Sequence, residues 1–331
     1  MPCQNLREFI EHLDNKQQLT RFRLPVSPHL EITEIADRVM KGRTEKNQAL
    51  LFENLPGYDM PVLINTFGSA DRMAWALGVE DLDELNQRLS KIIDLRLPQG
   101  IGQAVSRGQD LWGVFQSIGI RPRKVRRAPV QQVVHLEDAD LKSLPILQCW
   151  PKDGGAFITL PQVITRHPQT GIRNVGMYRL QVLDGKRLLV HWQRHKGGAE
   201  HERSAQDTRI ESIPAAIVLG GDPASMWCAS APLPPNIDEY LLAGYLRGAP
   251  VPFVGCITQP LEVPAQAEIV IEGTIDPNEH LPEGPFGDHT GYYTPVEPFP
   301  VFHVSAITHR RDPIYPATIF VIPPTEDVWM G

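Results

Sequence analysis

Apolar residues at Leu6, Phe9, Ile10 and Leu13 keep the spacing of a helix with one buried face, so the chain opens on an amphipathic helix. A strand over 21–26 follows. Ile32, Ile35, Ala36 and Val39 then repeat the helical period until Gly42 stops it. Residues 49–52 and 62–64 are short apolar runs of the kind buried strands show. Ser69 is placed to cap a helix through Leu77, and Leu82, Leu85, Leu89, Ile92 and Ile93 mark another. Strands alternating with helices predict an α/β domain over roughly the first hundred residues.

The pattern weakens over 101–128, where the domain boundary is expected. Within that stretch Arg121-Pro-Arg-Lys-Val-Arg-Arg127 is a basic run, read as a solvated linker or surface face, or alternatively as a contact for phosphate or anionic lipid. Beyond it, 130–136, 156–164, 175–182, 188–192, 215–219, 251–257, 268–272 and 301–307 suit strands. Residues 237–246 suit a helix, with Asn236 as its cap and Gly248 just past its end. This region reads as an antiparallel or barrel-like β domain. A last strand pattern lies at 318–322, and 326–331 looks like the opening of a helix. The expectation is a fragment, or a chain truncated at its C-terminus.

Composition narrows the classes. A chain of 331 residues is expected to form two domains, or one and a half. A net charge of −7 argues against nucleic acid as the main partner. The 31 prolines favour many strands joined by turns over a helical bundle. Cys3, Cys149, Cys228 and Cys256 contain no C-x-x-C pair, which points to reduced thiols and not to zinc or a disulfide framework. No apolar run reaches the ~18 residues of a membrane span, and no signal peptide is evident, so a soluble cytoplasmic protein is expected.

The densest chemistry is Glu283-Gly-Pro-Phe-Gly-Asp-His-Thr-Gly-Tyr-Tyr293, two carboxylates and an imidazole in a loop shaped by Gly and Pro. It reads either as a polar turn between strands or as an acid site. Carboxyls held against Phe286, Tyr292 and Tyr293 lose solvation and gain proton-donating strength near neutral pH. Asp184-Gly185 predicts a two-residue hairpin turn with Leu183 facing Lys186. That register sets Asn174 opposite His195, close enough to share either a hydrogen bond or a cation. Glu239 is the available third ligand, and such a donor set suits Mn²⁺ or Mg²⁺ better than zinc. His191, on the same strand, is a titratable rival. Arg179 among apolar neighbours wants a carboxylate or phosphate, which Glu283, Asp288 or a substrate could supply. Gly220-Gly221-Asp222-Pro223 reads as a tight turn or as a helix start suited to an anion.

The chain resembles the UbiD decarboxylase family along essentially its whole length. The likeness is carried by Leu30-Glu-Ile-Thr-Glu-Ile-Ala-Asp37, Leu51-Phe-Glu-Asn54, Asn174-Val-Gly-Met-Tyr-Arg179, His195-Lys-Gly-Gly198, Glu239-Tyr240 with Leu246-Arg-Gly248, Leu261-Glu-Val-Pro-Ala265 and the acidic loop. The resemblance implies an N-terminal α/β domain (1–120), a mainly antiparallel split β-barrel that binds flavin (121–312), and only the start of a linker or C-terminal domain (313–331). It implies non-oxidative decarboxylation with prenylated FMN, Mn²⁺ and a nearby K⁺. The implied substrate is 3-polyprenyl-4-hydroxybenzoate, giving 2-polyprenylphenol in ubiquinone biosynthesis; another aromatic or α,β-unsaturated acid, as in menaquinone biosynthesis, and a non-catalytic flavin-binding fragment are the alternatives. By motif position Asn174, His195 and Glu239 match manganese ligands, and Arg179, Glu283 and Asp288 the catalytic trio. Thr159, Gly176, Met177, Tyr178, Arg179, Arg194 and the segment Ser230-Ala231-Pro232 fall along the cofactor. The implied partners are a small aromatic acid, a flavin prenyltransferase supplying cofactor, a membrane surface touched for a prenylated substrate, and further copies of the full-length chain. Two departures stand out: Arg194 replaces a smaller polar residue, and Leu160-Pro161 replaces Trp-Gly.

Overall fold

The structure is a computed structural model, and it describes residues 2–85, 87, 119–193, 197–233 and 237–330. Leu89, Ile92, Ile93, Arg194, His195 and Asn236 therefore lie outside the described residues.

The first helix, Leu6–Asn15, buries the four apolar positions that predicted it. Asn5 Oδ1 accepts from the Glu8 backbone N–H at 3.0 Å, while Glu8 Oε1 accepts from Asn5 Nδ2 at 3.0 Å. This reciprocal cap contributes about 1 kcal/mol. The helices Glu31–Met40 and Ala70–Ala76 also form, the latter capped by Ser69. Strands β1 (Leu19–Phe22), β2 (Ala49–Phe52) and β3 (Val62–Ile64) build the sheet they pack on. β2 and β3 are buried along their whole length.

The basic run is not simply a linker. Arg123–Lys124 forms β4, and Lys124 Nζ meets Glu262 Oε1 at 2.5 Å. Strands β5 (Val133–His135), β6 (Phe157–Ile158), β7 (Gln162–Arg166), β8 (Arg173–Gly176), β9 (Leu180–Val182), β10 (Arg187–Val190) and β11 (Ile213–Leu219) follow. After them come β12 (Pro252–Gly255), β13 (Glu262–Pro264), β14 (Ile269–Glu283), β15 (Glu297–His309) and β16 (Tyr315–Ala317). Among the described residues, nine strands join in one mostly antiparallel sheet along the path β6-β9-β10-β15-β14-β11-β7-β8, with β5 added on β15. That path has two ends, so the expected barrel is not closed by its strand pairings. β13, β12 and β4 make a small sheet beside it.

Several sequence expectations are corrected. The run 156–164 is two strands, because Pro161 has no N–H for a ladder. The run 175–182 is also two, β8 and β9, which pair with different neighbours. Between them Met177 donates its backbone N–H to Ala229 O at 2.9 Å, turning the chain out of the ladder. The Asp184 turn is one residue longer than the two-residue form. Asp184 Oδ1 accepts from the Lys186 N–H at 2.9 Å, and Leu183 therefore bonds Arg187 instead of facing Lys186. Asn174 pairs with Thr165, and its predicted partner His195 lies outside the described residues. The helix predicted over 237–246 runs Glu239–Arg247, capped by Asp238 and ended by left-handed Gly248. Residues 313–331 do not simply begin a linker, and the strand there is 315–317, ahead of the predicted 318–322. It lies parallel to β3 and completes the N-terminal sheet β1-β2-β3-β16. Asp327–Met330 is helical.

Candidate active site

A cavity of about 380 Å³ opens where β8, the starts of two helices and the C-terminal segment meet. Its walls include Asn174, Gly176, Met177, Tyr178, the Ser230-Ala231-Pro232 segment and Glu239. The bend that breaks the predicted strand makes this wall. It lets Tyr178 fold back until a Cβ on Gly176 would sit 2.2 Å from the phenol ring, so only glycine fits there. Tyr178 Oη then accepts from Asn174 Nδ2 at 3.4 Å and from the Gly198 N–H at 3.3 Å. Asn174 Oδ1 lies against Gly197, where a Cβ would come within 2.0 Å. His195 is two residues before that glycine.

Glu239 begins its helix with Oε2 accepting from the Val175 N–H at 2.9 Å. Burial pushes its carboxyl up to about 8, and the charge of Asp238 adds to this; its backbone hydrogen bonds and Arg173 oppose the rise. Arg173 is itself committed to Asp238 at 2.7 Å and Glu262 at 3.2 Å. Among the described residues no ion pair engages the Glu239 carboxyl, and Asn174 brings an amide oxygen to the same cavity wall. These donors fit a hard divalent ion. No cluster of three or more His, Cys, Asp or Glu able to hold a metal occurs among the described residues.

Of the other expected cofactor contacts, Thr159 is buried and its Oγ1 accepts from the Thr318 N–H at 3.1 Å. Ser230 Oγ donates to Trp227 O at 2.8 Å and also reaches Met330 O at 3.3 Å. Phe320 lines the cavity and packs on Phe286, with ring centroids 5.8 Å apart.

Phe286 leads to the acidic loop. Arg179, next to the cavity-lining Tyr178, holds Glu283 with both arms of its guanidinium, at 2.7 and 2.9 Å. It also lies 4.4 Å from the Phe286 ring centroid. Glu283, at the end of β14, is fully buried. Burial alone would raise its carboxyl; hydrogen bonds to His191 and Arg179, with their charges, outweigh this and hold it below the ordinary value. Asp288 is placed differently. Its Oδ1 accepts from the His289 N–H and meets His289 Nδ1, both at 2.8 Å. Among the described residues no hydrogen bond or ion pair joins it to Arg179 or Glu283.

Sequence reasoning missed the residues that fix this loop. Asp153 receives the Gly287 N–H and the Trp150 N–H, each at 2.8 Å. Gln181 accepts from the Gly284 N–H at 2.7 Å and donates to Gly154 O at 2.9 Å. Neither has a periodic signal; only the Asp-Gly-Gly turn at 153–155 hints at a shaped backbone. A Cβ at Gly154 would lie 2.2 Å from Gly284 O, a backbone atom that cannot step aside. Gly154→Ala is therefore expected to displace the acidic loop at a stability cost of about 1–3 kcal/mol, read as an earlier urea midpoint.

Family models agree with this architecture. The model of the UbiD 3-octaprenyl-4-hydroxybenzoate carboxy-lyase Rift-related domain matches residues 123–324, and that of the family's N-terminal domain matches 10–91. An uncharacterized protein of Aquifex aeolicus is 48% identical over 99% of this chain and 66% of its own length. One of Archaeoglobus fulgidus is 47% identical over 100% and 67%. Among solved structures, an evolved dimeric form of the UbiD-class enzyme HmfF from Pelotomaculum thermopropionicum, in complex with prFMN, has 31% identity and a TM-score of 0.83, covering 98% of this chain and 69% of that one. The vanillic acid decarboxylase of Sedimentibacter hydroxybenzoicus in closed form has 28% identity and a TM-score of 0.85, covering 100% and 67%. The chain thus spans about two thirds of the length of these relatives. It belongs to the UbiD family of 3-octaprenyl-4-hydroxybenzoate carboxy-lyases.

Proposed function

We propose that this chain performs non-oxidative decarboxylation of an aromatic or α,β-unsaturated acid with prenylated FMN. The observation that carries the reading is the buried, two-armed Arg179–Glu283 pair, joined through Phe286 and Phe320 to a cavity of about 380 Å³. That volume falls in the range of small-molecule and cofactor sites. A UbiD-class neighbour holding prFMN supports the choice of cofactor.

Asn174, His195 and Glu239 would hold Mn²⁺ at the cofactor phosphate. Thr159, Gly176, Met177, Tyr178, Arg194, Ser230, Ala231 and Pro232 would border the cofactor. When bound, prenylated FMN supplies the electron sink that an sp² carbon needs to release CO₂. The chain's own groups do the rest. Arg179 orients the substrate carboxylate by charge-assisted hydrogen bonds, and Glu283 fixes the guanidinium plane. Asp288 is the group we assign to returning a proton to the carbon.

The substrate we propose first is 3-polyprenyl-4-hydroxybenzoate. A second reading, another aromatic acid, is favoured by the vanillic acid decarboxylase among the neighbours. The test is to co-express the protein with a flavin prenyltransferase, read the bound cofactor by mass and absorbance, and follow CO₂ release from a panel of acids. Bound prenylated FMN with turnover of at least one acid is expected. A chain that takes up the cofactor and releases CO₂ from none of them overturns the catalytic reading. Asp288→Asn is expected to keep the cofactor and lose turnover by about 10²-fold or more; full turnover would remove Asp288 from the proton path.

A further inference from the structure

Two histidines, neither of which lines the cavity, meet where β5 joins the far end of β15. His135 pairs opposite Ile307 and Val133 opposite His309, so the two histidines are diagonal neighbours on one face. Their Nε2 atoms lie 3.3 Å apart. Each Nδ1 is committed elsewhere, that of His135 to Asp138 Oδ2 at 2.7 Å and that of His309 to the Arg310 carbonyl oxygen at 2.5 Å. An ionised carboxylate and a carbonyl oxygen only accept, so both Nδ1 atoms carry the proton. In the neutral rings both Nε2 atoms then present lone pairs to each other, an arrangement that repels unless a positive charge lies between them.

We propose that His135 and His309 form a binding site for a divalent transition-metal ion of the Zn²⁺, Ni²⁺ or Cu²⁺ class. Metal–imidazole bonds of 2.0–2.1 Å at a tetrahedral angle set two nitrogens about 3.3–3.4 Å apart, which matches the pair. Asp138 and the Arg310 carbonyl provide the outer hydrogen bonds that orient metal-bound imidazoles. The His135 side chain is 36% exposed, leaving water free to complete the shell. An all-imidazole pair selects differently from the oxygen-rich cavity wall, which suits Mn²⁺. The ion would clip β5, a strand off the main path of the sheet, to β15.

The test titrates NiCl₂ into the protein preloaded with Mn²⁺, comparing it with His135→Gln and His309→Gln. Wild type is expected to bind one more Ni²⁺ per chain than either variant and to gain a thermal shift that both variants lose. Cu²⁺ bound there should show two nitrogen couplings by electron paramagnetic resonance. Asp138→Asn should keep the site but weaken it about 10-fold. Equal nickel stoichiometry in all three proteins, as when the rings merely share a proton, overturns the proposal. So does loss in only one histidine variant, since the site needs both rings.

Discussion

Arg179→Ala is expected to lower folding stability by about 3–5 kcal/mol, read as an earlier urea midpoint, and to abolish decarboxylation. The size follows from what is left behind. Glu283 is fully buried and, among the described residues, would keep only the hydrogen bond to His191 Nδ1 at 3.3 Å. In wild type its carboxyl is held below the ordinary value because the His191 and Arg179 bonds outweigh burial. A lowered acid contributes stability that is present above the unfolded pKa and is lost as pH falls through the folded one. Removing the guanidinium lets burial dominate, and Glu283 protonates sooner. The gap between wild type and variant should therefore be widest near neutrality and narrow toward acid pH. Arg179→Lys keeps the charge without the two-armed fork and should lose less stability. A wild-type midpoint in Arg179→Ala at pH 7 would mean that the pair does not hold the end of β14.

Glu239→Gln should behave in the opposite direction when no divalent ion is present. Burial, aided by Asp238, lifts the Glu239 carboxyl from 4.5 to about 8 in the folded chain. Between those values the unfolded chain is ionised while the folded one holds its proton. Wild-type stability therefore falls as pH rises through that window and levels off above it. At about 1.4 kcal/mol per pKa unit the loss is roughly 4–5 kcal/mol by pH 8. Glutamine carries no such proton, so the metal-free variant should be the more stable protein at pH 8 and close to wild type at pH 5. Mn²⁺ should reverse the order by stabilising wild type alone. Denaturation at both pH values, with and without MnCl₂, reads this directly. Identical pH slopes for the two metal-free proteins would show that the cost of burying this charge is met elsewhere.

What the chain reveals before folding follows the range of the forces involved. The helix at 6–15 and the Ser69 cap are set by neighbours three or four residues away, and both were readable. The split of 175–182 was not. It depends on Met177 reaching Ala229 and on Tyr178 reaching Gly198, contacts made only in the folded chain. The hairpin argument placed Asn174 by a register that one extra turn residue destroyed. Asn174 instead lies against Gly197, through β8 and the start of the helix that Gly197 opens. The motifs named Arg179 and Glu283, and the structure joins them. Asp153 and Gln181, which hold the loop in shape, are single polar residues with no pattern around them.

The last strand carries a consequence for synthesis on the ribosome. β16 zips Tyr315, Pro316 and Ala317 onto Val62, Leu63 and Ile64, so the opening domain waits until residue 317 has been made before its sheet is whole. Until then β3, apolar and meant for the interior, offers a bare hydrogen-bonding rim to any other nascent copy. A gene cut just before codon 313 should thus yield aggregates, even though every residue of the first three strands is present.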